Sequence, residues 1–354
     1  MSIDARETRE LAVRLGCSEH AVALAHASPL VDLHLDTFIP ARLWGYRVHR
    51  RHRERLGGYF FGQGDLPRFR DGGYNGGMWS ITTNPFRGAH SRLKTFQTNV
   101  TRLVDWASAH AEQVGLASSY REYVNLVAQG RHAIFLAVQG GNAIDAAPGS
   151  LTALSLGHLT RVTLVHLTNS HLGASSAPVH RLRRHRGLTD RGRRLVERLN
   201  DERIFVDLAH IHPDGFWDAL DVHDRTHPVL VTHTGVSGVK PHWRNIDDAQ
   251  IRAVAAHEGV IGIMAQTSFL RTEGAPNDAS LLVAHMEHVM RVGGQACVAL
   301  GTDFDGAIIP PKDLRSADAI PRLVQHMLDR QWSEKEIHGA LGGNFLRVLK
   351  AYRP

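Results

Sequence analysis

The stretch AIFLAVQGGNA, residues 133–143, joins a continuous apolar run to a glutamine and two glycines. An apolar run without alternation is typical of a strand that is covered on both faces, as in a parallel sheet. The two glycines predict a turn directly after the strand. Gln139 is therefore expected at the carboxyl end of a buried strand, which is where (β/α)8 barrels carry their functional side chains.

Seven other stretches repeat this pattern of a short apolar run with a polar residue near its end. The eight predicted strands are LVDLHLD (30–36), GMWSITT (77–83), AIFLAVQ (133–139), RVTLVHL (161–167), RIFVDLAH (203–210), PVLVTH (228–233), GVIGIMA (259–265) and CVALGTD (297–303). Segments with helical periodicity lie between most of these runs. Eight strands that alternate with helices predict an α/β fold, a (β/α)8 TIM barrel, with a doubly wound sheet as the alternative.

Two of the intervening segments show the helical pattern clearly. TDRGRRLVERLN (189–200) places its apolar residues on one face. NIDDAQIRAVAAHEG (245–259) has acidic residues in its first turn and Gly259 at its expected end. No repeat, low-complexity tract or Pro/Ser-rich linker divides the chain. We therefore expect one barrel domain over residues 1–354, with residues 1–29 as an N-terminal helical extension.

The composition excludes several classes of protein. No run of 18 or more apolar residues occurs, so no membrane span is expected. The start MSIDARETRELAVRLG mixes acidic with basic residues and lacks the apolar region of a secretory signal. Cys17 and Cys297 alone provide neither a disulfide framework nor a cysteine-based zinc site. These features predict a soluble cytoplasmic protein.

The net charge of +6 comes with two arginine-rich segments, residues 46–58 and 180–194. Such segments can bind phosphates, and a nucleic-acid binder is therefore one hypothesis. Solvated loops and helix faces are the simpler interpretation. No aromatic interleaving, zinc finger or helix-turn-helix pattern supports nucleic-acid binding, and we expect neither nucleic acid nor a membrane as partner.

Imidazole and carboxylate side chains lie at the ends of most predicted strands. Besides Gln139, they are His34, Asp36, His166, His210, His233 and Asp303. Because the chain contains 24 histidines, one histidine at a strand end carries little information. Four strands that each end in a histidine are far less expected by chance. These are the ligand types that zinc takes, and barrel closure brings strand ends together. The pattern therefore predicts a metal site.

A metal at this place suggests roles for its neighbours. Bound Zn²⁺ lowers the pKa of water toward ~7 and so supplies hydroxide at neutral pH. Asp303 would accept or transfer the proton. His166, if it is not a ligand, could donate a hydrogen bond to a developing oxyanion. Asp305 precedes Gly306 and is expected to order the loop.

These motifs resemble the renal (membrane) dipeptidase family of zinc peptidases, which belongs to the metal-dependent hydrolase barrels of the amidohydrolase type. The resemblance extends from about residue 30 to residue 350. The matching segments are VDLHLDT, GDLPRFRDGGYNGGMWSI, VTLVHLTNS, GLTDRGRRLVERLNDERIFVDLAH, VTHTGVSGVKPHWRNIDDAQIRAVAAHEGVIGIM, GTDFDG and GGNFLRVL. Because so many motifs match in order, the resemblance is highly specific. It implies a metallo-dipeptidase that acts on small-molecule substrates, and a homodimer.

The family implies a role for each matching residue. His34 and Asp36 would hold one zinc, and His210 and His233 the other. His166 would contact the reacting carbonyl oxygen of the substrate, and Asp303 would handle protons. Arg244, in WRNIDD, would bind the C-terminal carboxylate of a dipeptide, which suits the fork of a guanidinium.

Gln139 is the departure from the family pattern. The family motif is E-G-G, whose glutamate bridges two zinc ions, whereas this chain has Gln139-Gly140-Gly141. An amide cannot become an anion. Two dications ~3.5–4 Å apart repel by roughly 20 kcal/mol at an effective dielectric of ~20, before their ligands are counted. Gln139 remains a candidate ligand, and we expect one firmly held zinc ion or two weakly held ones.

Two enzymatic hypotheses follow. The first is a zinc-dependent dipeptidase that uses metal-activated water. The second is an altered or inactive barrel of the same ancestry, which binds or processes another small carboxylated substrate. The loss of one ligand charge motivates the second, and the presence of every other candidate ligand favours the first.

Overall fold

The computed structural model describes residues 3–53, 58–178 and 185–354. Its strands are β1 (Leu30–Leu35), β2 (Tyr74–Thr82), β3 (Val114–Leu116), β4 (His132–Gln139), β5 (Leu159–Thr163), β6 (Phe205–Asp207), β7 (Val229–Thr234), β8 (Val260–Ile263) and β9 (Val298–Leu300). Its helices are α1 (Ala5–Leu15), α2 (Glu19–Ala27), α3 (Phe38–Trp44), α4 (Leu66–Asp71), α5 (Ala89–Ala109), α6 (Tyr120–Ala128), α7 (Leu151–Leu154), α8 (Asp190–Asp201), α9 (Pro213–Val222), α10 (Asp248–Ala256), α11 (Thr267–Leu270), α12 (Ser280–Gly293), α13 (Ile320–Asp329), α14 (Glu334–His338) and α15 (Asn344–Tyr352).

The strands form a barrel. Eight of them pair in parallel in the order β1-β2-β4-β5-β6-β7-β8-β9, and β3 adds to β4 outside this path. The backbone N–H of Asp303 donates to the carbonyl of His34 at 3.1 Å, and that of Asp36 to Phe304 at 2.9 Å. These bonds join the end of β9 to β1 and close the sheet. The (β/α)8 TIM barrel is confirmed, and the doubly wound alternative is wrong because the edges of the sheet meet.

Each of the eight predicted runs overlaps one strand of the barrel, but three strands end three residues before the predicted polar residue. These strands are β5, β6 and β9, which end at Thr163, Asp207 and Leu300. His166, His210 and Asp303 each lie three residues further on. The backbone at His210 and Asp303 is left-handed, with φ of 65° and 63°, which interrupts the ladder. Non-glycine residues in this conformation are costly and cluster at functional sites.

The two predicted helices are present with one correction. Residues 189–200 form α8, for which Thr189 is the N-cap. In α10, Asp247 and Gln250 form a capping box, and the helix ends at Ala256 rather than at Gly259. Gly259 serves packing instead, because a Cβ there would lie 1.9 Å from the carbonyl oxygen of Val229.

The N-terminal region and the cysteines are also placed. Helices α1 and α2 precede β1, and α2 packs on α13. Cys17 and Cys297 are both free thiols. In the three described ranges, no helix is both long and apolar enough to cross a membrane.

An aromatic cluster fills one region of the core. The ring centroids of Phe345 lie 5.7 Å from Phe135 and 6.1 Å from Phe205, and Tyr352 packs 4.8 Å from Phe205. All four side chains are buried. Such rings combine a large buried area with favourable edge-on contacts. The cluster attaches the C-terminal helix α15 to the barrel strands.

Replacing Phe345 by Ala is expected to lower the free energy of unfolding by about 3–5 kcal/mol, because the cavity adds to the lost burial. Urea unfolding followed by circular dichroism measures this change. Phe86→Ala is the matched control, because Phe86 is 88% exposed and its loss should cost less than about 0.5 kcal/mol. Equal effects of the two substitutions would contradict the packing role of Phe345.

Candidate metal centre

The side chains predicted from the strand ends converge at the mouth of the barrel. A cavity of about 350 Å³ is lined by Asp36, Gln139, His166, His210, Arg244 and Asp303, among others. His34 and His233 are fully buried beside it, with ring centroids 3.8 Å apart. The structure thus brings together all eight candidate residues, which come from six different strands or the loops that follow them.

His210, His233 and Gln139 form one half of the centre. The Nε2 atoms of the two imidazoles are 2.8 Å apart. The amide nitrogen of Gln139 lies 3.3 Å from Nε2 of His210 and 3.4 Å from Nε2 of His233. Burial lowers the pKa of both histidines well below the ordinary value, so both rings are neutral at neutral pH.

The hydrogen bonds of His233 prepare its Nε2 for a metal. Thr232 Oγ1 donates to the Asp207 carboxylate at 2.8 Å. The same hydroxyl oxygen lies 2.9 Å from His233 Nδ1. Because the hydroxyl hydrogen is already donated to Asp207, this oxygen can only accept a hydrogen bond from His233 Nδ1. His233 therefore carries its proton on Nδ1, which leaves the Nε2 lone pair free, as a metal ligand requires.

His34 has the opposite arrangement. A guanidinium N–H of Arg161 donates to Nδ1 of His34 at 2.9 Å. Since arginine can only donate, the neutral His34 ring carries its proton on Nε2. That Nε2 lies 3.7 Å from Asp36 Oδ1 and 3.6 Å from Asp303 Oδ1. His34 thus faces two carboxylates with an N–H group rather than with a lone pair.

Arg161 is held rigidly in this position. It is fully buried and lies 3.1 Å from the carboxylate of Asp207. A second N–H of the guanidinium donates to Ser80 Oγ at 3.0 Å. Asp207 also accepts hydrogen bonds from Thr163 Oγ1 at 2.6 Å and from Thr232. These contacts favour the observed orientation of Arg161.

Unpartnered polar atoms test whether the centre suits a metal. Asp36 Oδ1, Gln139 Oε1 and His210 Nδ1 are buried and have no hydrogen-bond partner among the described residues. Ligand atoms of His34, His233 and Asp303 lie within 4.8 Å of one another. Buried oxygens without donors, next to a free imidazole lone pair, suit a divalent cation. The residues of this centre therefore fit a divalent cation, although the hydrogen bond from Arg161 leaves an N–H rather than a lone pair on Nε2 of His34.

Burial sets the protonation of the remaining groups. Burial, reinforced by the neighbouring charge of Asp36, raises the pKa of Asp303 well above its ordinary value, although Arg244 opposes this rise. Burial lowers the pKa of His166 to about 4, so that this ring is neutral at neutral pH. Burial also lowers the pKa of Arg244 to about 10.

Arg244 is oriented toward the cavity by one backbone contact. Its Nη2 donates to the carbonyl oxygen of His233 at 2.6 Å, and its Nε has no partner within the described part of the chain. The side chain is nevertheless buried. An unpaired donor on a buried guanidinium is available for an anionic ligand.

Sequence reasoning missed the charged network behind the histidines. Arg161 and Asp207 lie in predicted strands, and Asp32 accepts from the backbone N–H groups of His34 and Thr302 at 3.0 and 2.9 Å. One signal was available, because RVTLVHL begins with a charged residue inside a strand that is buried on both faces. The pattern could not show which ring atom Arg161 contacts.

The other polar features have structural partners. Asp305 orders a loop, as expected, because its carboxylate accepts from the backbone N–H groups of Gly62 at 2.6 Å and Gln63 at 2.8 Å. In the arginine-rich segments, Arg51 pairs with Asp71 and Arg191 with Asp145, each at 2.8 Å. Residues 54–57 and 180–184 of these segments lie outside the described residues.

Comparison with known proteins agrees with this architecture. The sequence profile of the membrane dipeptidase family, peptidase family M19, matches residues 18–353. A dipeptidase, aclJ, of Aspergillus oryzae is 28% identical over 338 residues, which cover 91% of this chain and 77% of that protein. An uncharacterized protein in the pqqA 5′ region of Klebsiella pneumoniae is 32% identical over 167 residues. That match covers 46% of this chain and 60%, less than two thirds, of that protein.

A solved structure shows the same fold. It is a metallopeptidase from Rhodobacter sphaeroides, liganded with a phosphinate mimic of the dipeptide L-Ala-D-Ala. It superposes with a TM-score of 0.80 at 23% identity and covers 92% of this chain and 99% of that chain. At this identity the likeness establishes the fold.

Proposed function

This chain belongs to the membrane dipeptidase family, peptidase family M19, and we propose that it is a metal-dependent hydrolase that cleaves the peptide bond of dipeptides. The observation that carries the proposal is the convergence of imidazoles, carboxylates and Arg244 on one cavity of dipeptide size. Zinc as the metal, a cytoplasmic location and a homodimeric assembly belong to the same proposal.

The charges of the centre favour one firmly held metal ion. A bound cation would favour the ionised form of Asp303 against the effect of burial, so that Asp36 and Asp303 would together balance one divalent cation. Gln139 adds no charge. His210 and His233 would hold the ion, and rotation of the Gln139 amide would offer its carbonyl oxygen as a further neutral ligand. A bound divalent metal lowers the pKa of water and so supplies hydroxide at neutral pH.

Three side chains would carry the remaining chemistry. Asp303, whose pKa is raised, would take the proton of the attacking water and pass it to the leaving amine. His166 is neutral and can donate an N–H to the oxygen of the reacting carbonyl as negative charge develops there. Arg244, with its free Nε, would bind the C-terminal carboxylate of the dipeptide.

The second candidate function is that of an altered barrel, which binds or processes another small carboxylated substrate. Gln139 favours it, because the amide removes a negative charge from the centre. Arg161 favours it too, because its donation to His34 Nδ1 opposes a second metal. The two functions differ in an observable way, since the altered barrel would bind carboxylated ligands without hydrolysing dipeptides.

Metal removal tests the proposed function. The purified chain is expected to contain about one zinc ion, and a chelator should abolish dipeptide hydrolysis, because no nucleophile of comparable strength remains at neutral pH. Mass spectrometry measures the metal and an amine-release assay measures the activity. Restoration of the activity by one equivalent of zinc completes the test. Hydrolysis that survives complete removal of the metal, or a metal-loaded chain that cleaves no dipeptide, would contradict it.

A further inference from the structure

A second cavity, of about 750 Å³, opens beside the metal centre between helix α3, the end of β2 and helix α5. We call it the basic groove. Its defining residues are Arg42, Thr82, Arg87, Lys94, Asn99 and Arg102. Four of these side chains are cations, and none of the described residues that line the groove is Asp or Glu.

The cations of the groove lack anionic partners. No ion pair within the described ranges includes any of the four. Burial lowers the pKa of Arg42, and the charges of Arg102 and Arg87 lower it further. The carboxylate that opposes this effect is Asp36, which the metal centre already uses. Like charges held together in this way favour an anion between them.

Unsatisfied polar atoms line the same groove. Arg42 Nε, Asn99 Nδ2 and Thr82 Oγ1 are buried and have no hydrogen-bond partner in the part of the chain that the structure describes. Asn99 is only 2% exposed, so leaving its amide nitrogen without a hydrogen-bond partner costs free energy of folding. Both nitrogens can only donate, and the threonine hydroxyl can donate as well. A surface that offers donors and positive charge is complementary to an anion.

The basic groove is continuous with the catalytic cavity. Ile39 and Thr82 line both. Thr82 also pairs with Gln139 in the register of β2 and β4, so the groove begins one strand away from the metal centre. Neighbouring strands lie about 4.8 Å apart. A substrate bound at the metal centre can therefore reach the groove with a side chain.

The barrel order shows which end of a substrate faces the groove. Arg244 follows β7, and β7 lies four places from β2 in the closed order of eight strands, so the two are on opposite sides of the barrel. A dipeptide whose C-terminal carboxylate is bound by Arg244 directs its amino-terminal residue toward β2. The groove is on that side.

We propose that the basic groove binds an acidic side chain on the amino-terminal residue of the substrate, and that dipeptides beginning with Glu or Asp are preferred over their neutral amides. This inference rests on the proposed dipeptidase function, and it names the substrate class of the same site. Carboxylate–guanidinium hydrogen bonds of this kind are among the strongest that proteins make in water.

The test uses two phosphinate analogues, of Glu-Ala and of Gln-Ala, whose shapes match and whose charges differ by one. Titration calorimetry on the zinc-loaded full chain should give a dissociation constant about ten-fold lower for the Glu analogue. This ratio should fall as the salt concentration rises. The ratio of kcat/KM for Glu-Ala over that for Gln-Ala should change in the same direction as this affinity ratio.

Substitutions assign the preference to the groove. Two substitutions are made at exposed positions of α5, Arg102→Gln and Lys94→Gln. Each should reduce the affinity ratio of the Glu analogue over the Gln analogue, and the double variant should reduce that ratio to about 1. Arg121→Gln, exposed on α6, is the charge-matched control and should keep the full ratio. A ratio that survives the double variant would overturn the assignment to the groove.

Failure of the inference and failure of the proposed function give different results. If both analogues bind equally well to the unmodified chain, the basic groove does not recognise acidic residues, and the dipeptidase function stands. If neither analogue binds to the zinc-loaded chain, the proposed function fails, and the inference fails with it.

Discussion

Asp303→Asn is expected to lower kcat/KM for dipeptide hydrolysis by about 100- to 10,000-fold, because an amide cannot accept the proton of the attacking water. Asparagine is the suitable replacement. It matches aspartate in shape, and it tolerates the left-handed backbone found at this position, where φ is 63°. Initial rates of the zinc-loaded variant, measured between about pH 6 and 9 at constant ionic strength, give the effect.

Two controls separate a loss of chemistry from a loss of structure. Asp221→Asn, at an exposed position near the end of α9, should change kcat/KM by less than about two-fold. The zinc content of the Asp303 variant shows whether the metal is still bound. If this variant retained its zinc and more than about a tenth of the activity, Asp303 would not be the proton acceptor.

The combined substitution of Gln139 by Glu and Arg161 by Met is expected to convert a centre that holds one zinc into a centre that holds two. The glutamate introduced by Gln139→Glu would supply the missing negative charge. Loss of Arg161 would let His34 carry its proton on Nδ1, where Ser80 Oγ lies 3.4 Å away and can accept it. Each single substitution is expected to tighten the second zinc about 10- to 100-fold, the range found for groups that orient metal ligands.

The Arg161→Met variant is expected to remain folded, because Asp207 keeps other hydrogen-bond donors and methionine fills the space. Asp207 would keep the hydroxyl donors of Thr163 and Thr232 and the backbone N–H groups of Ala209 and Thr232. Methionine fills a similar volume and adapts to irregular space. Circular dichroism and thermal unfolding verify that the variant is folded before metal is measured.

Zinc titration calorimetry and mass spectrometry after dialysis at fixed free zinc measure this effect without an activity assay. Arg68→Met is the control, because Arg68 is also buried and paired, 2.8 Å from Asp65, but lies outside the metal centre. It should leave the stoichiometry at one. Two tightly held zinc ions in the unmodified chain would contradict the proposal, as would a double variant that still binds one.

Particular residues show how far sequence reasoning reached. The apolar runs predicted every strand of the barrel path, because strands buried on both faces need continuous apolar residues. The run of β3, Val114–Leu116, was missed because three residues are too few for a pattern. The shift of His210 and Asp303 beyond their strands was also missed. It depends on left-handed backbone at both residues. Histidine and aspartate adopt this conformation more often than most residues, but it remains uncommon for any residue other than glycine, so the preference does not identify the position.

The sequence by itself determined the barrel, the residues at its mouth and the amide at position 139, because periodicity and residue chemistry are local properties that can be read along the chain. Only the tertiary structure decided which ring nitrogen of His34 or His233 is free. For His34 that depends on Arg161 of another strand, and for His233 on the hydrogen bond that Thr232 donates to Asp207 of the neighbouring strand. The tertiary structure alone revealed the basic groove as well. The cations of that groove lie on α3, on α5 and in the segment before α5, and they become one binding surface only when α3 and α5 pack beside β2.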